Sequence, residues 1–350
     1  MTARRTMRAV SAALAGALLA APALAQDSVT VVSWGGAYQD AQREVFFRPF
    51  EEETGIRVNE ETWEGGIGAI RARLASGGDP GWDVVQVEAA DILLGCEEGL
   101  FEPIDWDRLG GEDSVIPGAA QECGVGAILF NEGIAYDRDA LPEGPTGWAD
   151  FFDTERFPGK RALRMHPAVA LMGALMADGV PKEEVTAVLA TPEGEERAFA
   201  KLETIRDDLI FWRAGAQPPQ LLASGEVVMT TVYNGRIDAA NREEGRNFAF
   251  VWDGSVGSFD YWVILAGTPR IEQAYAFLEY IHRPEVQARL PDAIAYGVVH
   301  REAADDIDPE RLPDVPSAPE NLAVSVTQDL EFWLENAERL TERLQSWAGQ

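Results

Sequence analysis

From residue 29 onward, short apolar runs alternate with longer amphipathic segments, and that alternation restricts the chain to an α/β architecture. Val29 to Ser33 reads as a strand and Gln39 to Glu53 as a helix stopped by Thr54-Gly55. Ile56 to Asn59 reads as a second strand, Ile67 to Ala75 as a helix and Asp83 to Val87 as a third strand. This is the opening of a doubly wound sheet, whose ligands sit in crevices at the carboxyl ends of the strands. Trp34 and Glu88, just past the first and third strands, are therefore the first candidates for ligand contact. Farther on, the pattern predicts strands at Gly126 to Phe130, Val227 to Val232, Phe248 to Trp252 and Tyr261 to Ala266. It predicts helices at Gly194 to Asp207, Asp238 to Glu244, Arg270 to Ile281 and Ser325 to Trp347, with a surface loop over Asp305 to Pro319.

Ahead of this pattern, Arg4, Arg5 and Arg8 precede a largely apolar run from Ala9 to Ala20, and Ala23-Leu24-Ala25 follows. A basic start, a short apolar stretch and a small-residue cleavage site mark residues 1–25 as a secretory signal peptide. No other stretch nears the ~20 apolar residues of a membrane span, so the exported chain, beginning near Gln26, is expected in the periplasm without membrane insertion. The 29 Lys+Arg against 59 Asp+Glu leave a net charge of −30, and removing the three leader arginines leaves 26 against 59, or −33. A chain that negative is repelled by phosphate backbones, which excludes nucleic-acid partners. Three histidines and two cysteines are too few for zinc clusters, and no metal or cofactor is expected. In an oxidising compartment the even pair Cys96 and Cys123 is expected to form a disulfide. At ~100–200 residues per domain the length predicts two domains.

Four stretches give the chain a family likeness: SWGGAYQDAQREVFFRPFEEETGIRV, WDVVQVEAADILLGCEEGLFEPID, GEVVMTTVYNGR and FDYWVILAGTPRIEQAYAFLEYIHRPEVQARLPDAIAYGVV. In order and spacing they resemble the periplasmic substrate-binding proteins of ABC importers, within them the spermidine/putrescine-binding branch, over nearly the whole exported chain. The resemblance implies a two-lobed, type II periplasmic-binding-protein fold, each lobe a mixed sheet flanked by helices, with a hinge between them. It places residues 26–134 plus 255–310 in the first lobe and 135–254 plus 311–350 in the second. The chain would cross between lobes near Asn131 to Asp137 and near Asp253 to Gly257, and the last helix would return to the second lobe. A monomer that captures one small solute and delivers it to a membrane permease is the implied function.

The resemblance also assigns an aromatic wall. Trp34 would stack on the solute, Tyr38 one helical turn later would join it, Trp63 follows the second strand, and Tyr233 and Tyr296 match the family's late aromatics. The charged positions depart from the polyamine pattern. Where polyamine binders carry an Asp and a Glu after the strand Lys160 to Arg164, this chain reads Met165-His166-Pro167-Ala168-Val169. Near the second crossing the family's Trp and Asp fall on Phe259 and Tyr261, with Asp260 beside them. Glu88 restores an anion, and Arg236, in Asn234-Gly235-Arg236, adds a planar fork suited to a carboxylate. A desolvated ammonium needs a counter-charge. Glu88 or Asp260 would supply it, Arg236 would take an acid group, and the aromatics would hold the apolar body, partly by cation–π contact. The expected solute is thus a small amine or amino acid, 4-aminobutyrate fitting the description and a polyamine remaining an alternative.

A secreted hydrolase is the rival class. Asp105 with Asp107, or Glu97 with Glu98, are too close in sequence to flank a scissile bond, and no Gly-x-Ser-x-Gly, His-Glu-x-x-His or Gly-x-x-x-x-Gly-Lys-Ser/Thr motif occurs. A ferric-ion binder of the same fold would spend a tyrosine pair on the metal, and none of the seven tyrosines are adjacent. Binding without turnover is the reading the sequence supports.

Overall fold

The computed structural model describes residues 27–349, so the signal peptide expected over 1–25 lies outside the described residues. Ten strands form one sheet: β1 (Ser28–Ser33), β2 (Arg57–Thr62), β3 (Val84–Glu88), β4 (Ala120–Gln121), β5 (Gly124–Asp137), β6 (Arg161–Arg164), β7 (Leu209–Trp212), β8 (Met229–Tyr233), β9 (Phe248–Ile264) and β10 (Val326–Thr327). Their order is β2-β1-β3-β9-β5-β8-β6-β7, with β4 on β5 and β10 on β9. The outer strands pair in parallel, β1 with β2 and β3, β6 with β7 and β8, whereas β9 runs antiparallel to β3 and β5, and β5 antiparallel to β8. The mixed α/β class expected from the alternation is the one observed.

The central pair is longer than the sequence predicts. β5 spans 14 residues and β9 spans 17, so Phe248 to Trp252 and Tyr261 to Ile264 belong to one strand, which stops two residues short of the expected Ala266. Near Asp253 to Gly257, where the resemblance implies a crossing between lobes, the backbone resumes its ladder with β5 after a bulge. Between the pairs Glu132↔Val256 and Ile134↔Val251, two steps along β5 match five along β9. Each end of the sheet has its own core. Phe47, Phe50, Phe277 and Leu278 pack beside β1 and β3, while Phe151, Leu171 and Leu202 pack beside β6 and β8 with Trp333, Leu340 and Leu344 of the final helix Leu330–Ala348. Two lobes thus share β5 and β9.

The first helical run, Gly36 to Thr54, buries Tyr38, Ala41, Gln42, Val45, Phe46 and Phe50, a three-to-four-residue recurrence that puts one apolar stripe on the sheet. A π-turn over Arg43–Phe47 interrupts it, and Gly55, with φ 74°, ends it in the left-handed conformation that glycine adopts without strain. The helix Pro167–Ala177 has no counterpart in the sequence reading. It is apolar on all sides and buried from Pro167 through Leu175, so it lacks the polar stripe by which an amphipathic helix is read. Cys96 and Cys123 form the expected disulfide, Cα–Cα 5.6 Å, tying the helix Ala89–Glu97 to the start of β5. Among the described residues, no helix is long and apolar enough to cross a membrane.

Candidate functional site

The carboxyl ends of β1, β3, β6 and β8 converge on a cleft of about 530 Å3, its open mouth included. Eight of the ten sequence-predicted solute contacts line it: Trp34, Tyr38, Trp63, Glu88, Tyr233, Arg236, Asp260 and Tyr296. Trp34 follows β1 at a Gly35-Gly36 turn whose φ angles, 64° and 57°, only glycine adopts readily. A Cβ on Gly36 would also stand 2.8 Å from Arg236 Nη1, so this turn admits the guanidinium by having no side chain.

The apolar wall is built from aromatic pairs. Trp34 stacks on Trp63 with centroids 5.4 Å apart and planes 14° apart. Tyr38 meets Tyr296 edge-on at 5.0 Å, and Tyr233 meets Phe130 edge-on at 5.2 Å. Such offset and edge geometries are the favoured ones for aromatic quadrupoles. Hydrogen bonds fix the rings: Gln86 Nε2 donates to the Tyr38 hydroxyl at 2.6 Å, and Trp63 Nε1 donates to the Gln86 carbonyl at 3.1 Å.

Two ionisable side chains of opposite type in this wall lack protein counter-charges. Arg236 is only 4% exposed, and no carboxylate pairs with it among the described residues. Its Nη2 donates to the Trp34 carbonyl at 3.5 Å, while Nε and Nη1 are buried without partners. Asp238, the nearest carboxylate in sequence, is taken by Arg311 at 2.8 Å and Arg242 at 3.4 Å. Asp260, also 4% exposed, accepts one hydrogen bond, from Trp34 Nε1 at 2.8 Å. Burial, then the neighbouring Glu88 carboxylate, push the Asp260 carboxyl well above the usual range against the pull of the Trp34 hydrogen bond. Trp34 therefore touches both charges, Arg236 through its carbonyl and Asp260 through its indole.

Glu88 lines the cleft but differs from the free carboxylate that the sequence suggests. Arg164, at the end of β6, donates Nη2 to it, and His166 Nε2 stands 3.9 Å from its other oxygen. Burial raises the Glu88 carboxyl, and Arg164 with His166 more than offsets that, leaving it below its ordinary value. Two predicted contacts lie away from the cleft. Asn234 is a backbone clamp: its Oδ1 accepts from Asn131 N at 3.1 Å and its Nδ2 donates to the carbonyls of Ala295 and Asp314. Tyr261 alternates with Asp260 along β9, so its ring faces the opposite side of the sheet, where it is fully buried and its hydroxyl donates to the Gly118 carbonyl at 2.7 Å. Arg164, Phe130, Ile128, Glu64, Arg213 and Gly215 also line the cleft and were absent from the sequence reading. The strand-end rule that singled out Trp34 would have found Arg164, the last residue of β6.

With this geometry the class is defined: the chain belongs to the bacterial extracellular solute-binding proteins, whose family model matches residues 46–317. It is an extracytoplasmic solute-binding component of an ABC importer. The gamma-aminobutyric acid-binding protein of Pseudomonas aeruginosa is 42% identical to it over 338 residues, 96% of each chain. The putrescine/agmatine-binding protein of the same organism is 27% identical over 71% of this chain and 73% of that one. Among solved structures, the PBP MotA from A. tumefaciens B6 in complex with glucopine superposes with a TM-score of 0.86 at 31% identity, over 92% of this chain and 99% of that one. The Atu4243-GABA receptor superposes at 0.80 and 31% identity, over 92% and 98%. These relatives are two-lobed binding proteins, not enzymes.

Proposed function

We propose that the captured solute is an ω-amino acid, 4-aminobutyrate foremost, bound between the two lobes of an exported, periplasmic monomer that then docks on its permease. The observation that carries this is the pair of buried side chains of opposite charge type without a protein counter-charge, Arg236 and Asp260, in one aromatic cleft. Arg236 keeps Nε and Nη1 free of protein acceptors, and a carboxylate that reaches the guanidinium accepts charge-assisted bonds contributing about 1.5–3 kcal/mol each. Asp260 meets the ammonium, and the methylenes lie against Trp34, Tyr38 and Tyr233. A linear diamine matches Asp260 but sets its second ammonium against Arg236. The GABA-binding relative at 42% identity supports the same choice.

Binding couples to closure. Trp34 and Asp260 belong to the first lobe and Arg236 follows β8 of the second, so a solute that touches both stabilises the closed arrangement. The β9 bulge opposite Glu132 to Ile134 is the proposed hinge, close to the crossings that the family resemblance implies. Calorimetric titration with 4-aminobutyrate, putrescine and spermidine tests the reading. One tight site for 4-aminobutyrate is expected, and tight spermidine binding without a response to amino acids would overturn it.

A further inference from the structure

Glu88 and Asp260 are cross-strand partners in the β3–β9 ladder, and both line the cleft. Residues directly opposed in an antiparallel pair have Cβ atoms about 4.5–5.5 Å apart, so two free carboxylates there would give the cleft an excess negative charge. Arg164 prevents this from the other lobe. Its Nη2 donates to Glu88, and its Nη1 stands 3.8 Å from Glu132. Its guanidinium lies 5.5 Å over the Tyr233 ring. Glu132 competes weakly: burial pushes its carboxyl up to about 7 even with Arg164 alongside, so near neutrality much of it carries a proton.

We propose that Arg164 is a specificity-determining residue for the ligand's net charge. By neutralising Glu88 it leaves one acid, Asp260, ionised as it meets the ammonium, and one cation, Arg236, facing the solute, and the cleft accepts a net-neutral zwitterion while discriminating against dications. The inference rests on the ω-amino-acid reading above. Freeing Glu88 adds a unit negative charge that distinguishes the far end groups, carboxylate in 4-aminobutyrate and ammonium in putrescine. Across ~10 Å at an effective dielectric near 20, that difference is worth roughly tenfold or more in relative affinity.

The experiment measures dissociation constants of 4-aminobutyrate and putrescine for the wild type, Arg164→Gln, Glu88→Gln and the double variant. Arg164→Gln should move the affinity ratio at least about tenfold toward putrescine, and Glu88→Gln, which leaves Arg164 unpaired, should move it the opposite way. The double variant should return the ratio to near the wild-type value. Parallel weakening of both ligands with an unchanged ratio, or shifts of the same sign in both single variants, would overturn the proposal. If Arg164→Gln fails to fold, the sign of the Glu88→Gln shift decides alone. Failure of the ω-amino-acid reading registers separately, as a wild type that does not bind 4-aminobutyrate.

Discussion

Replacing Arg236 by methionine separates a solute-binding arginine from a structural one, because the two roles predict opposite changes in the unliganded protein. Methionine keeps the stem's packing and removes the guanidinium. If Arg236 holds the solute's acid group, the variant loses one partner of a buried charge pair, which costs about 2–5 kcal/mol. That corresponds to a rise in Kd of roughly thirty- to several-thousand-fold. The two guanidinium nitrogens without partners, Nε and Nη1, carry a desolvation penalty in the closed arrangement. Removing it is worth about 1–3 kcal/mol as an upper figure, since opening the cleft hydrates the same atoms. Unliganded Tm should therefore hold or rise by a few degrees while affinity collapses, read by calorimetric titration and by thermal unfolding without solute. A Tm several degrees lower with 4-aminobutyrate affinity kept within threefold would refute the reasoning.

Further outcomes follow from the other buried groups. Asp260, held well above the usual carboxylate range by burial and by Glu88, binds a proton that the ammonium must displace, so affinity should rise with pH and fall about tenfold per unit below its raised pKa. Kd measured from pH 5 to 8 checks this, and Asp260→Asn should remove both the tight binding and the slope. Glu132, pushed up to about 7 by burial, binds more protons in the folded than in the unfolded chain between its ordinary range and neutrality. Its contribution therefore becomes unfavourable as pH rises through that window, and Glu132→Gln should flatten the dependence and stabilise the protein at pH 8 by roughly 1–3 kcal/mol in denaturant titration. Opening the Cys96–Cys123 bridge, sequence separation 27, by a double serine substitution should cost about 3–4 kcal/mol on the chain-entropy account, seen as a lower urea midpoint.

Element type was legible wherever periodicity was strong. Ile67 to Ala75 is the helix read from the sequence, and Val29 to Ser33 lies within β1. The helix Pro167–Ala177 gave no such signal because it is apolar all round, and β7 gave none because it is four residues long; β6, equally short, was placed only through the resemblance, as Lys160 to Arg164. At the site, the strand-end rule placed Trp34 and Glu88 at the cleft and the family resemblance placed Tyr233 there. Charge pairing was not legible, since Arg164 and Glu88 are 76 residues apart and meet only through the order of the sheet. Tyr261 shows the converse: one step along β9 from Asp260 turns a side chain from the cleft to the opposite core.

The closed arrangement has a cost that identifies what closes it. Arg236 and Asp260 are each 4% exposed: the unpaired Arg236 ion, taken out of water, is penalised by several kcal/mol even after relaxation, and Asp260 avoids the same penalty only by holding a proton. Arg164 and Glu88 bridge the same cleft but neutralise each other, so their bond adds little ligand dependence of its own. A solute with only an ammonium leaves Arg236 unmatched, and one with only an acid leaves Asp260 unmatched, so neither repays the desolvation. Covalent linkage of the two charges matters as well, because two separate ions each lose translational freedom on binding. Small-angle scattering should therefore show compaction with 4-aminobutyrate and none with butylamine or butyrate. An equimolar mixture of those two at the same concentration should also leave the protein extended. Compaction by butylamine alone would mean that closure responds only to the ammonium, and would remove Arg236 from the mechanism.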